Sequence, residues 1–428
     1  MKKLLYYILK VLSHKVIRKY RPLTIAITGS FGKTSAKEAI GAVLKNQGRV
    51  KKSEGNYNNE IGLPLTILGE KTAGRSIFGW LNIFRRGLAL LSRKDNDYPN
   101  ILILEMGAEK PGDIRYLTKI APLDIGVITG IGPVHLEFFG SLEKIIEEKI
   151  SLVAHPADDT KITIINADDE NLVRAKSRLK GRLFSYGFNE GADYQSGDFK
   201  ITQKNGVWGT LFKLQTDGKT IPVFLPQSFG RQQVYACLAA LTLAGAIYNN
   251  LLEAINGLDD YRPPKGRTNL IAGIKNTLLI DDTYNASPPS TLAALDVLHE
   301  FPLAGEGRKI AVFGEMLELG SYTEEGHQQV GKRAAEINAD MLVTVGEKTR
   351  DILRGAASAG LSEDKTFYFD NNHDAGIFVQ NKLKEGDLVL IKGSQGARME
   401  QITKELMAEP LKAGELLVRQ SEEWLKKV

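Results

Sequence analysis

The chain is poor in the residues that build metal and disulfide frameworks. It holds one cysteine, Cys237, and six histidines in 428 residues. A single thiol excludes a disulfide scaffold and a cysteine-rich zinc site. It fits a reducing compartment, so the expected location is the cytoplasm. No apolar run approaches the roughly 20 residues that span a bilayer. The first stretch does not read as a signal peptide, because Lys10 breaks its apolar run and no small-residue cleavage site follows. Acids are missing from two places. Residues 1–22 carry Lys2, Lys3, Lys10, Lys15, Arg18, Lys19 and Arg21, and residues 71–94 carry Lys71, Arg75, Arg85, Arg86, Arg93 and Lys94, with no Asp or Glu in either. These thirteen bases exceed the net charge of +5, so the remainder of the chain is net acidic. That balance argues against a broad basic face, and no nucleic-acid partner is expected.

The length predicts two or three domains. Residues 1–22 read as one basic amphipathic helix ended by Pro22, with Leu4, Leu5, Ile8, Val11, Leu12 and Val16 on one face and Lys3, Lys10 and His14 opposite. Residues 23–262 alternate strand-like and helical runs, with strands expected at Thr24–Thr28, Ile101–Glu105, Ile125–Thr129 and Lys161–Asn166. A Tyr-Arg-Pro-Pro-Lys-Gly hinge at 261–266 leads into a third stretch, 263–428, with strands expected at Thr277–Asp281, Lys309–Phe313, Met341–Val345 and Leu388–Ile391. The fold class is therefore α/β: a central, mostly parallel sheet of the phosphate-loop type, then a Rossmann-like C-terminal domain.

Gly29-Ser-Phe-Gly32-Lys33-Thr34 follows an apolar strand and precedes a helical run, Ser35–Asn46. Glycines let backbone N–H groups curl around phosphate oxygens, and a helix N-terminus adds positive potential. Gly29, Ser30, Gly32, Lys33, Thr34 and Ser35 are the expected nucleotide contacts, with Lys33 on the β- and γ-phosphates and Thr34 on Mg²⁺. Lys33 lies four positions after Gly29, two fewer than in the general motif. Glu105 ends an apolar strand, where a carboxylate is well placed to hold the metal.

Seven stretches, in order, resemble the Mur ligase family, and within it the members that add D-alanyl-D-alanine. They are Thr28–Thr34, Gly55–Thr66, Glu105–Ala108, Ile131–Glu137, Asp281–Pro288, Gly314–Gly320 and Lys392–Ser394. The resemblance implies an ATP-dependent, ADP-forming ligase that joins a carboxylate to an amine through an acyl phosphate. It implies two Mg²⁺ ions held by Thr34, Glu105, His135 and Lys149, with Lys149 carbamylated. Lys149 stands fourteen residues after His135, the family spacing, and Lys144 does not. It further implies that Arg267 meets the nucleotide phosphates when the domains close, that Asp282 binds the ribose, and that Tyr284 and Asn285 line the nucleotide or amine site. The expected catalytic set is Lys33, His135, Lys149 and Arg267, and the loop Lys392–Arg398 is a candidate for the amine's carboxylate. The implied partners are a muramyl-peptide-like acceptor and a D-Ala-D-Ala-like amine.

Two features depart from the family pattern. Around Gly230-Arg-Gln-Gln the chain has Gln232, Gln233 and Ala236 where the family has His-Asn and a further Asn, so the adenine contact is expected to fall to a glutamine. Gly29 is preceded by 28 residues, too few for the N-terminal domain that grips the uridine-diphosphate end of the acceptor in the family. The basic helix 1–22 and the segment 76–91 stand in its place, as packing elements or as a peripheral contact with the inner face of the membrane. The alternative readings are a lipid-linked muramyl peptide, a folate-like or a poly-amino-acid acceptor, or a non-catalytic nucleotide-binding scaffold.

Overall fold

The computed structural model describes residues 2–55, 57–134, 136–154, 161–248, 250–303 and 305–426. Helix α1 (Lys2–Tyr20) leads through Pro22 into strand β1 (Leu23–Thr28), followed by α2 (Lys33–Val43), β2 (Val50–Lys52), α3 (Gly62–Leu68), α4 (Ile77–Ser92), β3 (Ile101–Glu105), α5 (Asp113–Ile120), β4 (Ile125–Ile128), α6 (Leu136–Phe139), α7 (Leu142–Ala154), β5 (Ile162–Asn166), α8 (Glu170–Ala175) and β6 (Arg182–Gly187). Strands β7 (Tyr194–Lys204), β8 (Val207–Thr216) and β9 (Lys219–Pro226) form a meander, and α9 (Arg231–Ile247) and α10 (Leu251–Gly257) close this half of the chain. The sheet order is β2-β3-β1-β4-β5-β6-β7-β8-β9, with every pairing from β2 to β7 parallel. Strands β3 and β4 are buried along their whole length, as parallel strands covered on both faces must be. The meander turns are Asn205-Gly206 and Asp217-Gly218, with φ of 52° and 78°, and 48° and 71°. Left-handed backbone at both central residues matches the twist of a tight hairpin, which explains Asn-Gly and Asp-Gly there.

The second sheet runs β10-β11-β15-β12-β13-β14, from β10 (Asn269–Gly273), β11 (Thr277–Asp282), β12 (Lys309–Gly314), β13 (Met341–Val345), β14 (Thr366–Phe369) and β15 (Leu388–Lys392). Only β10, at one edge, is antiparallel. Helices α11 (Pro288–Glu300), α12 (Thr323–Glu336), α13 (Arg350–Ser358), α14 (Asn372–Lys382) and α15 (Glu400–Leu406) accompany it. The chain forms two compact units: Met1–Asp198, Phe212–Val223 and Val234–Tyr261 in the first, and Phe199–Leu211, Phe224–Gln233 and Arg262–Val428 in the second.

The buried residues of helix α1 differ in part from its expected apolar face. Its buried stripe is Leu9, Leu12, Ser13, Val16 and Ile17, while Leu4 is 63% exposed. The helix is held from two sides. Leu12 lies over Gly87 of α4, where a Cβ would come within 3.1 Å of it, and Lys10 sits 5.0 Å over the ring of Tyr116 in α5. At its C-terminal end, Lys19 Nζ donates to the carbonyl of Leu90 at 2.8 Å and Tyr20 stacks on Tyr98 at 4.1 Å. Segments 1–22 and 76–91 therefore pack on each other, on one side of the first unit. No helix among the described residues is long and apolar enough to cross a membrane.

Candidate active site

The loop after β1 is built on close approach. Gly29 has φ 151°, and a Cβ on it would lie 2.3 Å from Thr129 Oγ1 and 3.0 Å from the carbonyl of Gly130. Gly32 has φ 80° and caps α2. Ser30 N donates to the Gly130 carbonyl at 2.7 Å, and Ser30 Oγ bridges the backbone of Gly132 at 3.0 Å. The loop between Gly29 and Thr34 is thereby tied to the exit of β4. Helix α2 begins at Lys33, two residues earlier than expected, because Gly32 supplies the turn. Lys33 Nζ folds back over the loop, donating to the Gly29 carbonyl at 2.7 Å and the Ser30 carbonyl at 3.4 Å. Thr34 is half-buried beside it and Ser35 is buried.

Glu105, at the end of β3, is 3% exposed. Asn58 Nδ2 donates to its Oε1 at 3.2 Å, while Oε2 is buried without a hydrogen-bond donor. Lys37, one turn after Lys33, holds its Nζ 3.4 Å from that Oε2, an ion pair without hydrogen-bond geometry. Sequence reasoning missed Lys37. Its position four residues after Lys33, on the same helix face, is the signal that could have found it. The orphaned Oε2 of Glu105 and the hydroxyl of Thr34 fit a hard, oxygen-preferring cation such as Mg²⁺. No cluster of three or more His, Cys, Asp or Glu side chains with metal-binding geometry occurs among the described residues.

Lys149 lies on α7 and is 2% exposed. Burial pushes its pKa from 10.5 down to about 7, the nearby charge of Lys33 pushes the same way, and Glu148 and Asp113 oppose. Lys33 and Lys149 are thus brought within electrostatic reach of each other. Glu148 fixes α7, the helix that carries Lys149: it accepts from the backbone N–H of Gly112 at 2.7 Å and of Ile114 at 2.6 Å, at the start of α5. His135 lies outside the described residues.

The second unit gathers the other expected residues. The Arg267 guanidinium lies 4.5 Å over the ring of Tyr284. Tyr284 N donates to the carbonyl of Gly266 at 3.0 Å, and Gly266 takes φ 69° with no room for a Cβ, which would sit 2.8 Å from Tyr284 N. Asp282 is turned inward: its Oδ1 accepts from Thr268 N at 3.1 Å and its Oδ2 from Lys392 Nζ at 2.6 Å. Lys392 also donates to the Asn285 carbonyl at 2.9 Å, and Ser394 Oγ donates to the Ala286 carbonyl at 3.2 Å. The Lys392–Ser394 stretch therefore fastens the loop carrying Tyr284 and Asn285. Gln233 is buried and donates to Thr268 Oγ1 at 3.3 Å, whereas Gln232 is exposed.

Asp281, beside Asp282, is fully buried. It accepts from Thr283 Oγ1 at 2.7 Å and from Thr403 Oγ1 at 3.1 Å, and burial raises its pKa to about 7, helped by Asp282 and Glu400 and opposed by the two hydroxyls. A raised carboxyl pKa makes the stability contribution of this group complete below its ordinary value of 3.8 and lost as pH rises through about 7. Asp281→Asn is therefore expected to flatten that part of the stability profile, measured as unfolding midpoints from pH 4 to pH 8.

Against known families, residues 27–78 and 86–244 match the Mur ligase middle domain. Residues 266–395 match the Mur ligase glutamate ligase domain. The chain is 32% identical over 404 residues to the UDP-N-acetylmuramoyl-tripeptide–D-alanyl-D-alanine ligase of Bacillus subtilis, covering 94% of this chain and 80% of the relative. The ligase of the same name from Escherichia coli is 29% identical over 388 residues, covering 89% and 76%. Among solved structures, MurF ligase from Thermotoga maritima in complex with ADP aligns with a TM-score of 0.75 at 29% identity, covering 94% of this chain and 83% of that one. MurF from Acinetobacter baumannii aligns with a TM-score of 0.74 at 28% identity, covering 92% and 79%.

Proposed function

The chain belongs to the Mur ligase family and is an ATP-dependent ligase, and from that premise we propose that it extends a muramyl-peptide-like acceptor with a D-Ala-D-Ala-like amine on the cytoplasmic side of the membrane. The observation that carries the reading is the Lys33 loop at the end of β1, with Glu105 at the end of the neighbouring parallel strand β3 and Lys149 buried within electrostatic reach of Lys33.

An oxygen of the acceptor carboxylate attacks the γ-phosphorus of ATP, and ADP leaves. The amine nitrogen then attacks the acyl carbon, and the tetrahedral intermediate expels inorganic phosphate, which carries away the acceptor's oxygen. This chemistry requires alignment and charge neutralisation more than covalent help. Lys33 and the N–H groups of the Gly29–Thr34 loop hold the terminal phosphates. Thr34, Glu105 and a carbamylated Lys149 would hold Mg²⁺, with His135 joining them by family resemblance. The metal would screen the negative charge of the phosphates. Carbamylation requires a neutral amine, and a pKa of about 7 supplies one at neutral pH. In the second unit, Arg267 is held flat by Tyr284 for a phosphate contact. The inward-facing Asp282 serves the nucleotide by fixing the loop of Tyr284 and Asn285.

Phosphate release from ATP and Mg²⁺, measured over a panel of acceptors and amines, tests this reading. ADP and phosphate are expected only when a cognate acceptor is present, with full turnover requiring the amine as well. Formation of AMP and pyrophosphate, or hydrolysis indifferent to every acceptor, would count against it.

A further inference from the structure

Helix α4 is apolar on two opposite faces. One face buries Ile83, Gly87 and Leu90 against the first unit's core. The other presents Ile77, Phe78, Leu81 and Leu88 to solvent, at 75%, 85%, 56% and 59% exposure. Phe78, Leu81, Arg85 and Leu88 recur at helical spacing, so the outward residues form one stripe with an arginine in its middle. A helix with two apolar faces normally has both covered. Leu4 and Tyr7, exposed at the start of α1, extend the same surface: α1 and α4 lie side by side and run the same way, Leu12 meeting Gly87 and Lys19 meeting Leu90. Six of the fifteen exposed large hydrophobics among the described residues lie on these two helices. Lys3 and Arg75 flank the patch and Arg85 lies within it; all three are exposed and have no ion-pair partner among the described residues. Neither helix contains an acid.

The patch is also at the working edge of the sheet. Asn58, which donates to Glu105, is preceded by Tyr57, whose hydroxyl accepts from Thr72 N at 2.9 Å, just ahead of α4. Trp80 Nε1 closes that corner on the Gly74 carbonyl at 3.1 Å. The amino end of α4 is thus tied through two adjacent residues to the carboxylate beside the phosphate loop.

We infer that the outer face of α1 and α4 docks on an anionic lipid bilayer and presents the active-site edge of the first unit to a membrane-borne acceptor. Apolar and aromatic side chains enter the headgroup boundary while the flanking bases meet anionic lipid, the mode of an interfacial amphipathic surface. A soluble protein rarely leaves such a patch bare. The absence of acids from both helices selects an anionic surface over a neutral apolar partner. The docking stands without the ligase reading; only the membrane-borne acceptor rests on it.

The full chain is to be floated with phosphatidylcholine vesicles containing phosphatidylglycerol and with phosphatidylcholine vesicles alone, while its oligomeric state is followed by light scattering. Binding is expected to the anionic vesicles only and to weaken as salt rises. Phe78→Ser/Leu81→Ser/Leu88→Ser should lower the bound-to-free ratio by about tenfold or more, with ADP formation on a soluble acceptor unchanged. Arg75→Glu/Arg85→Glu, which leaves every apolar contact in place, should also release the protein, so the test survives a folding defect in the serine variant. Absence of vesicle binding by the folded chain overturns the inference. So does binding indifferent to lipid charge, or a concentration-dependent dimer that the serine variant dissolves without any lipid affinity in the parent. Vesicle binding without ADP formation would retain the docking and discard the ligase reading.

Discussion

Lys33→Ala is expected to lower ADP formation by about a thousandfold or more while leaving the fold in place. Lys33 is the side-chain cation of the loop itself, and its ammonium rests on the Gly29 and Ser30 carbonyls at 2.7 and 3.4 Å, where terminal phosphates would be gripped. The side chain is only half-buried, and the loop is held by Thr129, Gly130 and Gly132 instead, so its removal costs the fold little. Lys33→Arg is not expected to rescue, because a planar fork cannot replace a point charge in so tight a turn. Single-turnover ADP formation with thermal unfolding as the control checks both halves. A folded alanine variant with near-normal turnover would remove the loop from the mechanism.

Lys149→Ala is expected to be the second large loss, about a hundredfold or more, partly restored by formate or acetate at high concentration, since a short carboxylate can stand where a carbamate would. The carbamate forms when the neutral amine attacks carbon dioxide and sheds a proton, so it is favoured as pH rises through about 7, the depressed pKa of this lysine. ¹³C-labelled bicarbonate should give a carbamate resonance in the parent and none in the variant. The same depression has a sign in stability. The folded state disfavours the ammonium, so the penalty is complete below about pH 7 and disappears as pH rises towards 10.5. Lys149→Met should therefore be the more stable protein below pH 7, with the gap closing in alkali. A Lys149→Ala variant with full activity and no response to carboxylates would show that this amine does not serve the reaction.

Much of this architecture was legible where a local rule decides it. The apolar run before Gly29 and the glycines after it specify strand, loop and helix without help from the rest of the chain. The eight strands read from the sequence all appear, with no end shifted by more than one residue. The parts that were not legible depend on distant neighbours. Lys37 was not singled out, because its partner Glu105 is sixty-eight residues away and only the fold brings it in. The wheel for α1 put Leu4 on one face with Leu12 and Val16, but α4 and α5 grip the helix so that Leu9 and Ile17 are buried and Leu4 is exposed. Asp282 reads, by resemblance, as a ribose-binding carboxylate, and only the parallel neighbour β15 supplies the Lys392 that pairs with it. Asn205-Gly206 and Asp217-Gly218 were readable hairpin turns that the expectation of a mostly parallel sheet left unused.

The most direct test of the ligase mechanism follows the acceptor's own oxygen. With an acceptor carboxylate labelled in ¹⁸O, turnover in the presence of ATP and the amine should place one labelled oxygen in each inorganic phosphate released, the mark of an acyl phosphate. Unlabelled phosphate, or label appearing in AMP, would contradict it.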